Sequence, residues 1–218
     1  MSDLRVRYQT IEFANFDIHL RTLRDKQQFS DNNQVAEKLG INSTTWPIFG
    51  VLWPSGVVLA NFLLNYDIKG LRILEVGCGI GLSSLLLNAR HADISSTDYN
   101  PAVADFLKQN TALNDGKTIP FFLTDWANAC DTLGTFDLII GSDLLYEDQH
   151  IELLSRFIEK HAKATSTIIL VDPSRGRKTK FSKKMANYGF SYRHIQATAG
   201  DNMPEPYQGF ILEFQRNH

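Results

Sequence analysis

Two cysteines in 218 residues, Cys78 and Cys130, are too few for a disulfide framework or a cysteine-built zinc site. Both are read as buried thiols, and no metal is expected. No run of 18 apolar residues exists, and the opening Met-Ser-Asp-Leu-Arg has no apolar signal core. An excess of one charge is missing too: 22 Lys and Arg stand against 24 Asp and Glu, a net of −2. There is no global basic field for nucleic acid. Repeats and low-complexity segments are also absent. Together these absences predict a cytoplasmic protein without a membrane or nucleic-acid partner.

What is present starts with apolar residues, 43% of the chain, enough for a sizeable core in one domain. The most informative stretch is Leu71-Arg-Ile-Leu-Glu-Val-Gly-Cys-Gly-Ile-Gly-Leu82. Ile73, Leu74 and Val76 read as a buried parallel strand. It ends in Glu75 and the glycines Gly77, Gly79 and Gly81, and an apolar helix from Leu82 follows at once. Strand, glycine turn and helix form a nucleotide cradle, in which backbone N–H groups approach a ligand and the helix N-terminus favours a negative group. The spacing is Gly-x-Gly-x-Gly, not the Gly-x-Gly-x-x-Gly of dinucleotide sites. Three glycines so spaced arise by chance in roughly one chain in fifteen, so the flanking strand and helix carry the reading.

Residues 1–45 read as an N-terminal extension, and 46–218 as the main domain. Tyr8, Ile11, Phe13, Phe16, Ile18, Leu20 and Leu23 suggest two strands broken near Ala14-Asn15. A short helix is expected over Asp31–Leu39, ended by Gly40. A second is expected over Val57–Leu64, with Pro54 suited to a first turn. From Leu71 strands and helices alternate. Strands are expected at 73–76, 93–97, 119–124, 136–141, 167–171, 190–196 and 209–214. Helices are expected at 82–90, 101–113, 150–161 and 178–188. The last two strands have no helix between them and should pair antiparallel. This alternation means an α/β, doubly wound, Rossmann-like sheet, whose ligands sit beyond the carboxyl ends of its strands.

Those ends carry the candidate site. Asp98 falls 17 residues after Gly81. It can accept hydrogen bonds from a ribose diol, or cap the next helix beside Asn100. Asp125 can accept from an adenine amino group and Trp126 can stack on the ring, or the two cap and pack. In Gly141-Ser142-Asp143-Leu-Leu-Tyr146, a helical turn would put Asp143 and Tyr146 on one face; the bland reading is an acidic cap. Six basic residues lie between Arg175 and Lys184, either a solvated face or a rim for an acidic macromolecule.

Taken together, these residues resemble the class I methyltransferases, in the branch of seven-strand protein lysine methyltransferases with an Asp-x-x-Tyr motif after strand four. The matching runs are Trp53-Pro-Ser-Gly56, Leu74-Glu-Val-Gly-Cys-Gly-Ile-Gly81, Asp98-Tyr-Asn-Pro101, Asp125-Trp126 and Ser142-Asp-Leu-Leu-Tyr146. Asp172-Pro-Ser-Arg175 looks like the Asp-Pro-Gly-Arg of enzymes acting on electron-transfer flavoprotein β-subunits, with Ser174 in place of glycine. The resemblance implies a mostly parallel seven-stranded sheet of order 3-2-1-4-5-7-6, and an N-terminal hairpin and helices over the cofactor. It implies S-adenosyl-L-methionine (SAM) as cofactor, held by Trp53, Glu75, Gly77, Gly79, Gly81, Asp98, Asp125, Trp126 and Ser142. Asp143 and Tyr146 are then the catalytic pair, and a protein lysine is the expected acceptor, with an acidic partner surface left open by the basic run. A lysine must lose its proton first, and from a pKa near 10.4 to pH 7 this costs roughly 4.6 kcal/mol. Relatives with these motifs also methylate histidine or small amines. A nicotinamide-like small-amine N-methyltransferase and a non-catalytic SAM- or protein-binding module therefore stay open. A nicotinamide dehydrogenase is disfavoured by the glycine spacing.

Overall fold

Alternating apolar residues before residue 24 form a hairpin of β1 (Val6–Phe13) and β2 (Phe16–Leu23), turning at Ala14-Asn15. The structure is a computed structural model that describes residues 4–31, 34–127, 132–197 and 207–217. Cys130 lies outside the described residues, whereas Cys78 is a buried free thiol. In β2 the period of two sends Ile18 and Leu20 inward and leaves Asp17 and His19 outside.

The first helix, α1 (Val35–Lys38), is shorter than the sequence suggests. Asp31 stands ahead of it and accepts from the N–H groups of Ala36 and Glu37 at 3.0 and 2.8 Å. A 3₁₀ turn covers Trp46–Gly50. Next, α2 (Pro54–Leu63) starts three residues before Val57, because Pro54 sits where a helix needs no N–H donor.

The remaining strands form one sheet: β3 (Arg72–Val76), β4 (Asp93–Asp98), β5 (Phe121–Leu123), β6 (Phe136–Ser142), β7 (Ala162–Asp172), β8 (Ser191–Gln196) and β9 (Phe210–Arg216). Their spatial order is β5-β4-β3-β6-β7-β9-β8. Counted from β3, this is 3-2-1-4-5-7-6. The first five strands are parallel, and β9 runs antiparallel to both β7 and β8. The helices between them are α3 (Leu82–Ala89), α4 (Val103–Leu113), α5 (Gln149–His161) and α6 (Lys178–Asn187).

Burial on both faces explains the continuous apolar strands. Ile73, Leu138 and Ile140 pack with α2, α3 and Ile18 and Leu20 of the hairpin. Leu74, Val76 and Ile139 pack on the other side with Leu154 and Ile158 of α5 and Phe181 and Met185 of α6. β7 begins five residues before the expected Thr167. Its start reads as a polar loop in the sequence, yet the Arg216 guanidinium donates to the carbonyls of Ala162 and Lys163, both at 3.0 Å.

The hairpin reaches the domain through two asparagine side chains. Asn110 and Asn114 lie one helical turn apart on or just beyond α4. The Asn110 amide accepts from the Arg21 N–H at 2.6 Å and donates to the Arg21 carbonyl at 3.2 Å and the Ile80 carbonyl at 3.0 Å. The Asn114 amide treats His19 alike, at 2.8 Å in both directions. The two amides thus serve the free edge of β2 as a neighbouring strand would. Asn110→Ala leaves three backbone groups short of a partner. The expected cost is about 2 kcal/mol or more in urea unfolding, with faster amide exchange in residues 18–22. Unchanged exchange there would mean the hairpin is held by its apolar face alone.

Candidate active site

The turn after β3 bends through three left-handed glycines, Gly77, Gly79 and Gly81, at φ +63°, +52° and +81°. Space matters as much as φ at all three. A Cβ on Gly77 would meet Leu144 Cδ2 at 2.6 Å, and one on Gly79 would meet the Phe49 carbonyl at 2.9 Å. A Cβ on Gly81, which precedes α3, would meet Leu107 Cδ1 at 2.5 Å. Behind the turn, the buried Glu75 carboxylate accepts from the Ser84 N–H at 3.0 Å and from the Ser84 hydroxyl. Burial pushes its pKa up to about 7, although the Ser84 bonds pull it down.

A cavity of about 490 Å³ opens at the carboxyl ends of the strands, within the ordinary range for ligand sites. Ten of the eleven sequence-derived residues line it: Trp53, Glu75, Gly77, Gly79, Asp98, Asp125, Trp126, Ser142, Asp143 and Tyr146. Gly81 is the one outside its wall. Asp98 is 8% exposed and accepts from the N–H groups of Gly79 and Asn100 at 3.0 and 2.9 Å. Burial raises its pKa against those bonds. Asn100, not Asp98, bonds to the start of the helix, taking the Ala102 N–H at 3.0 Å. Asp125 closes a turn by accepting from the Ala127 N–H at 2.9 Å. The Trp53 indole donates to the Ile48 carbonyl at 2.9 Å. Ser83, in the first turn of α3, also lines the cavity, and its buried hydroxyl has no partner among the described residues.

The segment after β6 is not helical, contrary to the helical turn that would align Asp143 with Tyr146. The Asp143 N–H donates to the Val171 carbonyl at 2.8 Å, which prolongs the β6–β7 ladder by one residue. Its φ of +58° then swings the chain over the cavity, and that turn is what lets both side chains line it. Arg175 holds the Asp143 carboxylate: Nε and a terminal nitrogen reach Oδ1 at 2.9 and 2.8 Å. Burial pushes the Tyr146 phenol well above its usual range.

Sequence reasoning missed His150, and it placed Arg175 in a basic run and in the Asp172-Pro-Ser-Arg175 resemblance without giving it a partner. His150 lines the cavity between Trp126 and Tyr146, edge-to-face with each at 5.0 and 4.3 Å. Its Nδ1 lies 2.9 Å from the Leu144 carbonyl; a carbonyl only accepts, so Nδ1 carries the proton and Nε2 the lone pair. Burial lowers its pKa and keeps it neutral. No sequence signal separated this histidine from an ordinary helix start. The basic run is also more committed than its composition implies. Arg177 pairs with Asp148, Lys184 with Glu152, and Lys178 Nζ sits 3.2 Å over the Phe210 ring.

Asp98, Asp125, Asp143 and Glu147 face Arg175 across one cavity. Such a wall suits a cationic ligand and repels a dinucleotide pyrophosphate. Among the described residues, no group of three His, Cys, Asp or Glu is placed to hold a metal ion. No described helix is long and apolar enough to cross a membrane.

The architecture is that of the SAM-dependent methyltransferases. The magnesium protoporphyrin IX methyltransferase of Synechocystis PCC 6803, solved with bound SAM, matches with a TM-score of 0.57 at 23% identity, over 74% of this chain and 77% of that one. A methyltransferase from Pyrococcus furiosus matches at 0.60 and 16%, over 75% and 83%. Residues 34–188 match the family model described as lysine methyltransferase, and the chain belongs to that family. It is 29% identical to the calmodulin-lysine N-methyltransferase of Arabidopsis thaliana, over 64% of this chain and 50% of that protein. It is 31% identical to the protein N-lysine methyltransferase METTL21A of Danio rerio, over 59% and 63%. With the electron transfer flavoprotein β-subunit lysine methyltransferase of the same fish it shares 30%, over 60% and 52%. The chain thus spans about half the length of the curated relatives it matches.

Glu75 gives stability a definite pH dependence. Unfolded, its carboxyl ionises near its ordinary value of 4.5; folded, it keeps its proton to about 7. Between those values the unfolded chain binds fewer protons, so stability falls as pH rises through the window. At about 1.36 kcal/mol per pH unit this loss is roughly 3 kcal/mol. Glu75→Gln keeps an acceptor for the Ser84 N–H and has no proton to lose. Urea unfolding at pH 5 and pH 8 should therefore move in the variant's favour by about that amount. Equal pH slopes in the two proteins would show that Glu75 is ionised in the fold.

Proposed function

We infer that this protein is a SAM-dependent N-methyltransferase whose acceptor is a lysine side chain of another protein. The observation that carries this is the meeting, in one cavity, of the glycine turn and Asp98 with Asp143 and Tyr146. The fit to the cofactor rests on the acidic wall, the unpartnered Ser83 hydroxyl and the cavity size. SAM carries a sulfonium and an ammonium against one carboxylate, a net cation. When bound, it supplies an electrophilic methyl group.

The protein's own part is binding, orientation and exclusion of water. Asp98 accepts from ribose hydroxyls, and Asp125 and Trp126 take the adenine. The first turn of α3 with Ser83 takes the methionine end, and Trp53 closes over it. Gly77, Gly79 and Gly81 give the turn its shape, and Glu75 and Ser142 back it. Asp143 orients the acceptor amine, and Tyr146, neutral at physiological pH, forms the wall beside it. The same reading keeps residues 46–218 as the methyltransferase domain and residues 1–45 as its extension. The exposed Lys180 and Lys183 form the rim toward an acidic protein surface. The cytosol is its compartment, where a reduced, buried thiol such as Cys78 persists.

Labelled SAM added to lysate of a knockout strain should mark a protein band whose modified residue is lysine. Label in free nicotinamide or another small amine would overturn the acceptor assignment. Asp143→Asn removes the charge but keeps size. Single-turnover transfer should drop by about 10²–10⁴, the usual span for a positioned acid–base group, while SAM affinity moves by less than about 1 kcal/mol. Wild-type transfer by that variant would remove Asp143 from the site; lost SAM binding would make it a cofactor residue.

A further inference from the structure

Ser142 and Val171 are register partners on β6 and β7, so Asp143 and Asp172 leave the sheet side by side. The Arg175 guanidinium pairs with the first of these carboxylates and not with the second. Arg175 Nε and a terminal nitrogen converge on Asp143 Oδ1 at 2.9 and 2.8 Å. Asp172 is 2% exposed; its Oδ1 accepts from the Ser174 N–H at 2.9 Å, and its Oδ2 has no partner among the described residues. Burial and the neighbouring Asp143 charge raise its pKa, and the Ser174 N–H, with Arg175 beyond it, pulls it back down. Tyr207 stands in the same field, with its phenol tied to Ser55 at 2.8 Å. The backbone aims Arg175 at this spot: Ser174 and Gly176 on either side of it are left-handed, at φ +66° and +83°. The Asp143 side chain is 12% exposed, whereas Arg175 remains 41% exposed at the cavity mouth.

We propose that Arg175 is the positioning residue that sets the charge of the acceptor site, so that the acceptor enters as a neutral amine rather than as an ammonium. Asp143 alone would attract a cation and hold its proton on. With Arg175 on Oδ1, the pair is balanced and the site gives an ammonium no net advantage. Oδ2 stays available to a single N–H of the amine, whose lone pair is then left pointing elsewhere. With the guanidinium open to solvent at the cavity mouth, the pair contributes little to folding, which fits a role in recognition rather than in stability.

The inference rests on the cofactor reading above, and one titration separates the two. Sinefungin is a SAM analogue with a primary ammonium in place of the sulfonium methyl; S-adenosylhomocysteine has neither. The ratio of their dissociation constants, measured by calorimetry, reports how the acceptor site receives a cation. Arg175→Gln frees the Asp143 charge and should raise the preference for sinefungin by about tenfold or more, with S-adenosylhomocysteine unmoved. Arg175→Lys keeps the charge and should stay near wild type. Asp143→Asn leaves Arg175 unbalanced and should lower the preference by a similar factor. In the Asp143→Asn background, Arg175→Gln should no longer raise it above the wild-type value. An unchanged or lowered preference in Arg175→Gln would overturn the proposal. Failure of the wild-type protein to bind S-adenosylhomocysteine at all would overturn the cofactor reading, and this inference with it.

Discussion

A buried carboxylate, Glu75, ties the first parallel strand to the helix that follows it. Ser84 gives it both its N–H and its hydroxyl, and the same hydroxyl lies 2.7 Å from that of Ser96 on β4. Thr97 on β4 donates to the Glu75 carbonyl at 3.2 Å. β3, α3 and β4 are thus joined at one point behind the glycine turn. Because the turn is anchored from behind, the Gly79 N–H is carried to Asp98 and the Cys78 N–H to the Thr97 carbonyl, both at 3.0 Å. The shape of the cavity floor follows from those bonds.

A second regularity runs along the same edge of the sheet. β3 is followed by Gly77, β6 by Asp143 and β7, two residues on, by Ser174, all at positive φ. Left-handed backbone costs a residue with a Cβ roughly 1–2 kcal/mol, so two of these three positions are strained. This left-handed backbone lies at strand ends beside the cavity; the other described non-glycine residues that share it, Gln34, His91 and Asp115, lie outside the sheet. It turns each chain sharply outward, which presents Asp143 and Arg175 to the cavity instead of burying them in the next helix. The Asp-Pro-Gly-Arg run to which residues 172–175 are similar has glycine at the Ser174 position, as a left-handed residue would favour.

The sheet was legible because parallel strands covered on both faces are short apolar runs, and helices between them carry period-3.6 patterns. Ile73–Val76, Leu138–Ile140 and Ile168–Val171 announce themselves this way. The start of β7 did not, because Ala162 and Lys163 owe their strand geometry to distant partners, Phe136 on β6 and the Arg216 guanidinium. The strand-end carboxylates were legible as positions: an acidic residue after an apolar run is conspicuous. Their partners were not. That Arg175 faces Asp143, or that His150 stands between Trp126 and Tyr146, depends on backbone turns at Asp143 and Ser174 that sequence periodicity does not encode. The reason for the glycines was also only half visible. The sequence suggests room for a ligand, whereas at Gly77 and Gly79 the room is taken by Leu144 and the Phe49 backbone.

That contact with Phe49 shows why residues ahead of the sheet belong to the site. An edge-to-face series runs from Phe29 to Trp46, Phe49 and Phe106, with centroids 5.0–5.9 Å apart. It connects the N-terminal segment to α4, the helix whose asparagines hold β2. The loop after β4 serves both sides of this arrangement. Asp98 faces the cavity, while the Asn100 amide donates to the Trp46 carbonyl at 2.9 Å and accepts from the start of α4. A shift of that loop would move the Asp98 carboxylate and the aromatic series, of which Phe49 lines the cavity, together. The cover over the cavity is therefore not an independent lid. It is positioned by the same four residues, 98–101, that present the cavity's most buried aspartate, so the wall and the roof of the site are set by one turn of chain.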